Sequence, residues 1–86
     1  MMIRFERSFE RSARGEVRAR AMEVADAVAR GEARARRLVG RLSRYSVARI
    51  DSQRMLVVEL RHSLLRVIGV CRRESIKFEA LSRQSG

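Results

Sequence analysis

Proline, tryptophan and asparagine are missing from this 86-residue chain, and cysteine and histidine occur once each. Without proline or asparagine the turns are weakly marked, so element ends must be read from shifts in composition. The single cysteine, Cys71, excludes an internal disulfide and makes a reducing compartment the expectation. One histidine, one cysteine and no close grouping of carboxylates exclude the common metal sites, so neither a metal nor a cofactor is expected. The glycines are scattered, which excludes a phosphate-cradling glycine loop. Three phenylalanines and one tyrosine leave little surface on which bases could stack. No apolar stretch reaches the roughly 18 residues that a membrane span needs. Met1-Met2-Ile3-Arg4 lacks the apolar run of a signal peptide, and a cytoplasmic protein with no membrane role is expected.

What is abundant is positive charge. Twenty basic residues stand against ten acidic ones, a net charge of +10, and the pI is near 11.7. Nineteen of the twenty bases are arginine, Lys77 being the sole lysine. Genomic base composition can skew the Arg-to-Lys ratio but leaves the net charge to be explained. The planar donor fork of arginine suits phosphate, so nucleic acid is the leading class of partner. An acidic protein that masks the charge is the second. Apolar content of 45% is ordinary for a folded protein. A single domain over residues 1–86 is expected, and a chain of this size buries only about 60 to 65% of its unfolded surface, which favours a surface groove over an enclosed active site.

Along the chain, Ile3, Phe5 and Phe9 alternate with polar residues, which predicts a short first strand ending near Arg7. Ser12 suits an N-cap, and from Ala13 the residues Val17, Ala21, Val24 and Val28 recur at helical spacing. Glu16 with Arg20 and Asp26 with Arg30 are i,i+4 pairs in the favourable orientation. Gly31 breaks this helix, and a second helical piece over 32–39 ends near Gly40. Beyond Gly40, β-branched residues replace alanine and predict strands over 47–50, 54–60 and 65–71. The expected fold is α+β, in the order β-α-α-β-β-β, with a small antiparallel sheet on a helical hairpin. The alternative is an all-α helical hairpin, because Val57, Leu60, Leu64, Ile68, Cys71, Ser75 and Phe78 also form a helical stripe. Residues 82–86 are expected to be a frayed tail.

The strand reading has a functional consequence. With the break Arg61-His62-Ser63 as a tight turn centred near Ser63, Arg54 falls opposite Arg72, with Arg73 beside it. The turn Asp51-Ser52-Gln53 carries Arg49 back to the same end. Like charges set opposite each other destabilise a sheet, so such a cluster points to a bound anion. His62 falls in the turn, roughly 26 Å from Arg54 at about 3.3 Å per residue, and reads as exposed. Cys71 reads as a buried core thiol. Arg14, Arg18, Arg20, Arg34, Arg36 and Arg37 read as a basic helical surface, either simply solvated or an electrostatic footprint for RNA or an acidic partner. Tyr45 reads as a half-buried strand residue.

Several segments resemble the RelE/ParE superfamily of bacterial toxins. Met2-Ile3-Arg4-Phe5 resembles its first strand, and the region of Phe9 the start of its first helix. Leu38-Val39-Gly40-Arg41-Leu42 is similar to its Leu-x-Gly-x-Leu approach to the sheet. Tyr45-Ser46-Val47-Ala48-Arg49-Ile50 followed by Arg54 is close to its Tyr-Ser-x-Arg-Ile pattern, with one extra residue after Ser46. Val70-Cys71-Arg72-Arg73-Glu74 resembles its closing strand.

The resemblance implies a toxin of a toxin-antitoxin pair, a ribosome-dependent mRNA endonuclease that inhibits translation. Its partners would be the ribosome, mRNA and an acidic cognate antitoxin. The ParE branch offers the alternative, a DNA gyrase inhibitor without nuclease activity; a basic helical nucleic-acid-binding module is a third reading. By position, Arg54 and Arg73 take the catalytic places, and Arg49, Arg72, Tyr45 and Lys77 the substrate-binding ones. The chain departs from the pattern at Phe78, where the RelE branch commonly has a tyrosine, and in lacking a lysine on the second strand. Arginine stays protonated and makes a poor base, so the proton route falls to Tyr45, Lys77 or the ribosome's own groups.

Overall fold

The computed structural model describes residues 1–75. A five-stranded sheet carries two helices, an α+β fold. In chain order the elements are β1 (Met2–Phe5), α1 (Arg7–Ser12), α2 (Gly15–Ala29), β2 (Arg36–Arg37), β3 (Ser46–Arg49), β4 (Arg54–Arg61) and β5 (Leu64–Arg72), with a 3₁₀ turn at Gly40–Leu42 before β3. The strand order across the sheet is β1-β5-β4-β3-β2. All neighbours are antiparallel except β1 and β5, which run parallel. The all-α alternative is therefore excluded, and the sheet is mixed rather than purely antiparallel. No helix among the described residues is long and apolar enough to cross a membrane.

The core lies between the sheet and α2. Leu56 and Val58 of β4, Leu65 and Val67 of β5 and Ala48 of β3 pack with Phe9, Ala13, Ala21, Ala25 and Val28. Alternation along the strands sends these residues to one face. Each fully buried Leu, Val or Phe contributes roughly 1.5 to 3 kcal/mol. On α2 the inward positions Ala21 and Ala25 are small, which lets the helix axis lie close to the strands. Val17 and Val24 are half-buried on its flank.

Gly31 ends α2 and redirects the chain toward the sheet. At φ 77° it takes the left-handed conformation just past the helix end. Its N–H donates to Val28 O at 3.1 Å, and the Glu32 N–H donates to Ala27 O at 2.8 Å. This paired closure satisfies the last helical carbonyls and turns the chain. The second helix expected over 32–39 does not form, even though its residues favour one. Arg36 and Arg37 instead pair with Val47 and Ser46 as an edge strand. Arg34, Arg36 and Arg37 thus belong to a sheet edge and its approach, not to a helical surface.

The N-terminal segment differs from expectation in a second way. Phe9 lies on the short helix α1, wholly buried, with its ring centroid 5.0 Å from that of Phe5. Ser12 is the last residue of α1 and no N-cap. Its hydroxyl donates to Phe9 O at 3.2 Å and accepts the Val70 N–H at 2.9 Å. The Ser8 hydroxyl donates to Ile68 O, and the Glu6 N–H to Val67 O. Beyond the end of β1, the edge of β5 is thereby covered by α1 instead of left open to a foreign strand.

In the β4–β5 hairpin, His62 and Ser63 form the loop, with His62 at φ 51°. His62 is exposed, as its place in the turn implied. A bulge interrupts the ladder, because Val58 pairs with Val67 but Val57 pairs with Gly69, leaving Ile68 as the extra residue.

Candidate anion site at the β3–β4 end of the sheet

The turn joining β3 to β4 is organised by Asp51. Its Oδ1 accepts the N–H groups of Gln53 and Arg54, both at 2.8 Å. Its Oδ2 lies 3.3 Å from Arg54 Nη1. These contacts, the Gln53 amide first, hold its carboxyl below the usual range against the opposing effect of burial. A side-chain carboxylate that bonds its own backbone two residues on is a turn-forming device, and it makes Arg54 the first residue of β4.

Arg54 pairs in register with Arg72, as the hairpin arithmetic placed it. β5 ends there, and the Arg73 N–H donates to Gln53 O at 2.8 Å, tying the end of β5 to the turn. Between the two lies a concavity of about 510 Å³, lined by Ser52, Gln53, Arg72, Arg73 and Glu74. Among the described residues neither the Arg72 nor the Arg73 side chain has a hydrogen-bond or ion-pair partner, and both are exposed. Two unneutralised guanidinium groups at one concavity can hold a phosphate or carboxylate bidentately.

The other arginines of the expected cluster sit differently. Arg54 does not line the concavity and is neutralised by Asp51. Arg49 reaches the same end but pairs in register with Met55, so alternation sets it on the opposite face from Arg54. Its Nε donates to Asp51 O at 3.3 Å. Tyr45 stands at the other end of β3, about 13 Å from Arg49 at roughly 3.3 Å per residue. There the Arg44 guanidinium lies 5.5 Å from its ring centroid. Lys77, Phe78 and the tail 82–86 lie outside the described residues. Cys71 is half-buried, with Sγ 4.0 Å from Met55 O, on the sheet face away from α2 and not in the main core.

A second charged cluster had no signal in the sequence. Glu59 is only 3% exposed, yet it sits in the middle of β4 on the face away from α2. It accepts from Arg44 Nε at 3.0 Å and from Arg66 Nη1 at 2.5 Å. Arg66 also bonds Glu6, which lies 3.5 Å from Arg4. The Arg44 hydrogen bond, followed by that of Arg66, keeps the Glu59 carboxyl below its ordinary value although burial opposes this. Glu6 is lowered too, chiefly by Arg66, and Arg66 is raised by both carboxylates. Here the opposite charges are paired, so this cluster fastens β1, β5, β4 and the segment before β3 together. It leaves no open site for an anion.

No group of three or more His, Cys, Asp or Glu among the described residues could hold a metal ion. No protein-family model, curated protein or solved structure matches the chain.

Proposed function

We propose that the chain is a cytoplasmic toxin of the RelE/ParE kind that binds and cuts mRNA on the ribosome. The observation that carries this reading is the Arg72 and Arg73 pair at an open concavity beside a carboxylate, Glu74. In the reaction a ribose 2′-oxygen forms a bond to the adjacent phosphorus as its proton passes to the Glu74 carboxylate. The bond from phosphorus to the 5′-oxygen breaks, leaving a 2′,3′-cyclic phosphate and a 5′-hydroxyl that takes a proton from water. Arg72 and Arg73 stabilise the charge that builds on the phosphoryl oxygens. Glu74 replaces Tyr45 as proton acceptor, since Tyr45 stands too far off. An acidic antitoxin would silence the protein by covering the same arginines.

The test is induced expression of wild-type, Arg72→Ala/Arg73→Ala and Arg54→Ala chains, with growth followed and mRNA ends mapped by primer extension. Wild type and Arg54→Ala should arrest growth and cut mRNA; the double variant should do neither. Arrest with intact mRNA and induced DNA-damage signalling would sink the nuclease reading in favour of gyrase inhibition.

A further inference from the structure

Between Glu32 and Asp51 the chain has six arginines and no carboxylate. The fold gathers five of them, Arg34, Arg36, Arg37, Arg41 and Arg44, at the β2 edge of the sheet, and all five are exposed. Arg37 is held by a hydrogen bond from its Nε to Ser43 O, and Arg44 is engaged with Glu59. Arg34, Arg36 and Arg41 have no side-chain partner among the described residues. We propose that this edge is a docking surface for the phosphodiester backbone of single-stranded RNA, separate from the Arg72 and Arg73 concavity.

Two features choose this occupant over an added peptide strand. β2 is only two residues long and both are arginines, which is how sheet edges resist strand addition. Unneutralised guanidinium groups along an extended edge instead match a line of phosphates. β2 is three strand spacings from β5, about 14 Å at roughly 4.8 Å each, so one phosphate cannot touch both places. A run of nucleotides can.

The inference rests on the proposed function for RNA as the polyanion, and its experiment needs neither ribosome nor growth. A fluorescein-labelled 20-nucleotide RNA of mixed sequence is titrated with the full chain while anisotropy is read from about 50 to 200 mM salt. The edge variant is Arg34→Gln/Arg36→Gln/Arg41→Gln. The control, Arg7→Gln/Arg11→Gln/Arg14→Gln, removes the same charge on the α1 side, from side chains that have no partner among the described residues. Circular dichroism confirms that both variants fold.

Each phosphate contact contributes about 0.7 to the slope of log affinity against log salt, so three lost contacts lower the slope by about 2. At about 0.1 M salt that corresponds to roughly 100-fold weaker binding. The control should retain most of the wild-type slope. Equal weakening by both variants means that net charge alone drives binding, and it overturns the inference. So does an edge variant that binds like wild type, or a wild type that does not bind. Edge-dependent binding by a chain that neither arrests growth nor cuts mRNA would leave this inference standing and remove the proposed function.

Discussion

Replacing Glu59 is the severest single test of how this sheet is held together. Glu59 is almost fully buried, and both of its oxygens are taken by guanidinium groups, Arg44 at 3.0 Å and Arg66 at 2.5 Å. Removing one partner of a buried ion pair costs about 3 to 5 kcal/mol, because the remaining charge is left without compensation. Here the lower end applies. The Arg44 side chain is 58% exposed and can turn to water, and Arg66 retains Glu6. Glu59→Ala should therefore cost about 3 kcal/mol, or roughly 12 to 24 °C in melting temperature for a domain of this size. Glu59→Gln preserves shape and one acceptor and should cost about 2 kcal/mol, in the range of a hydrogen bond to a charged group.

Urea unfolding followed by circular dichroism measures both, and a cycle with Arg66→Met isolates the pair. A coupling of about 1 to 2 kcal/mol is expected between the two sites. The acid limb provides a second readout. Glu59 and Glu6 both have folded pKa values below their unfolded ones, so in acid the unfolded chain binds more protons and stability rises with pH through that window. Wild type should be insensitive near neutrality and lose stability as pH falls below about 4.3, the ordinary Glu value. Glu59→Gln should flatten that limb by up to one proton, about 1.4 kcal/mol per pH unit. A coupling below about 0.5 kcal/mol, with an unchanged acid limb, would refute the claim that this pair fastens β4 to β5.

The sheet was legible in the sequence where neighbours in space are near neighbours in the chain. The apolar runs either side of Arg61-His62-Ser63 define a hairpin, and Arg54 does face Arg72. That match needed an element the sequence barely marks. Near the turn, paired residue numbers sum to 125 (Arg61 with Leu64), and only the extra residue at the bulge raises the sum to 126 (Arg54 with Arg72). Gly69 was the one hint, since a glycine inside a strand often marks a bulge. The stretch 32–39 misled because its local preference is helical while its strand partners lie further along the chain, Ser46 nine residues beyond Arg37 and Val47 eleven beyond Arg36. The closure at Gly31 and the ladder to β3 outweigh that preference. Ser12 and Glu59 were missed as organising residues for a related reason. Nothing local distinguishes a serine that caps a strand edge 58 positions away, or a glutamate that waits for Arg44 and Arg66.

Two further perturbations examine the ends of the sheet. Gly69→Ala sets a Cβ 3.0 Å from Ser12 Oγ, the atom that takes the Val70 N–H, and should cost about 1 to 2 kcal/mol as an overpacked contact. Adding Ser12→Ala removes the obstruction, so the double variant should lose less than the sum of the singles in urea unfolding; simple additivity would show that the two residues do not touch. At the other end, Asp51→Asn retains the carbonyl oxygen that accepts the Gln53 and Arg54 amides, so the turn should survive with an unchanged circular dichroism spectrum. It removes the carboxylate that neutralises Arg54 and leaves that guanidinium open beside Arg72. Affinity for the labelled RNA should then rise, with the salt slope steeper by about 0.7 if Arg54 gains one phosphate contact. Mild acid cannot substitute for the mutation, because the backbone amides hold the Asp51 carboxyl ionised below its usual range. An Asp51→Asn chain that folds normally yet binds RNA no more tightly would show that Asp51 does not restrain the anion site, and that the Arg72 and Arg73 concavity acts without Arg54.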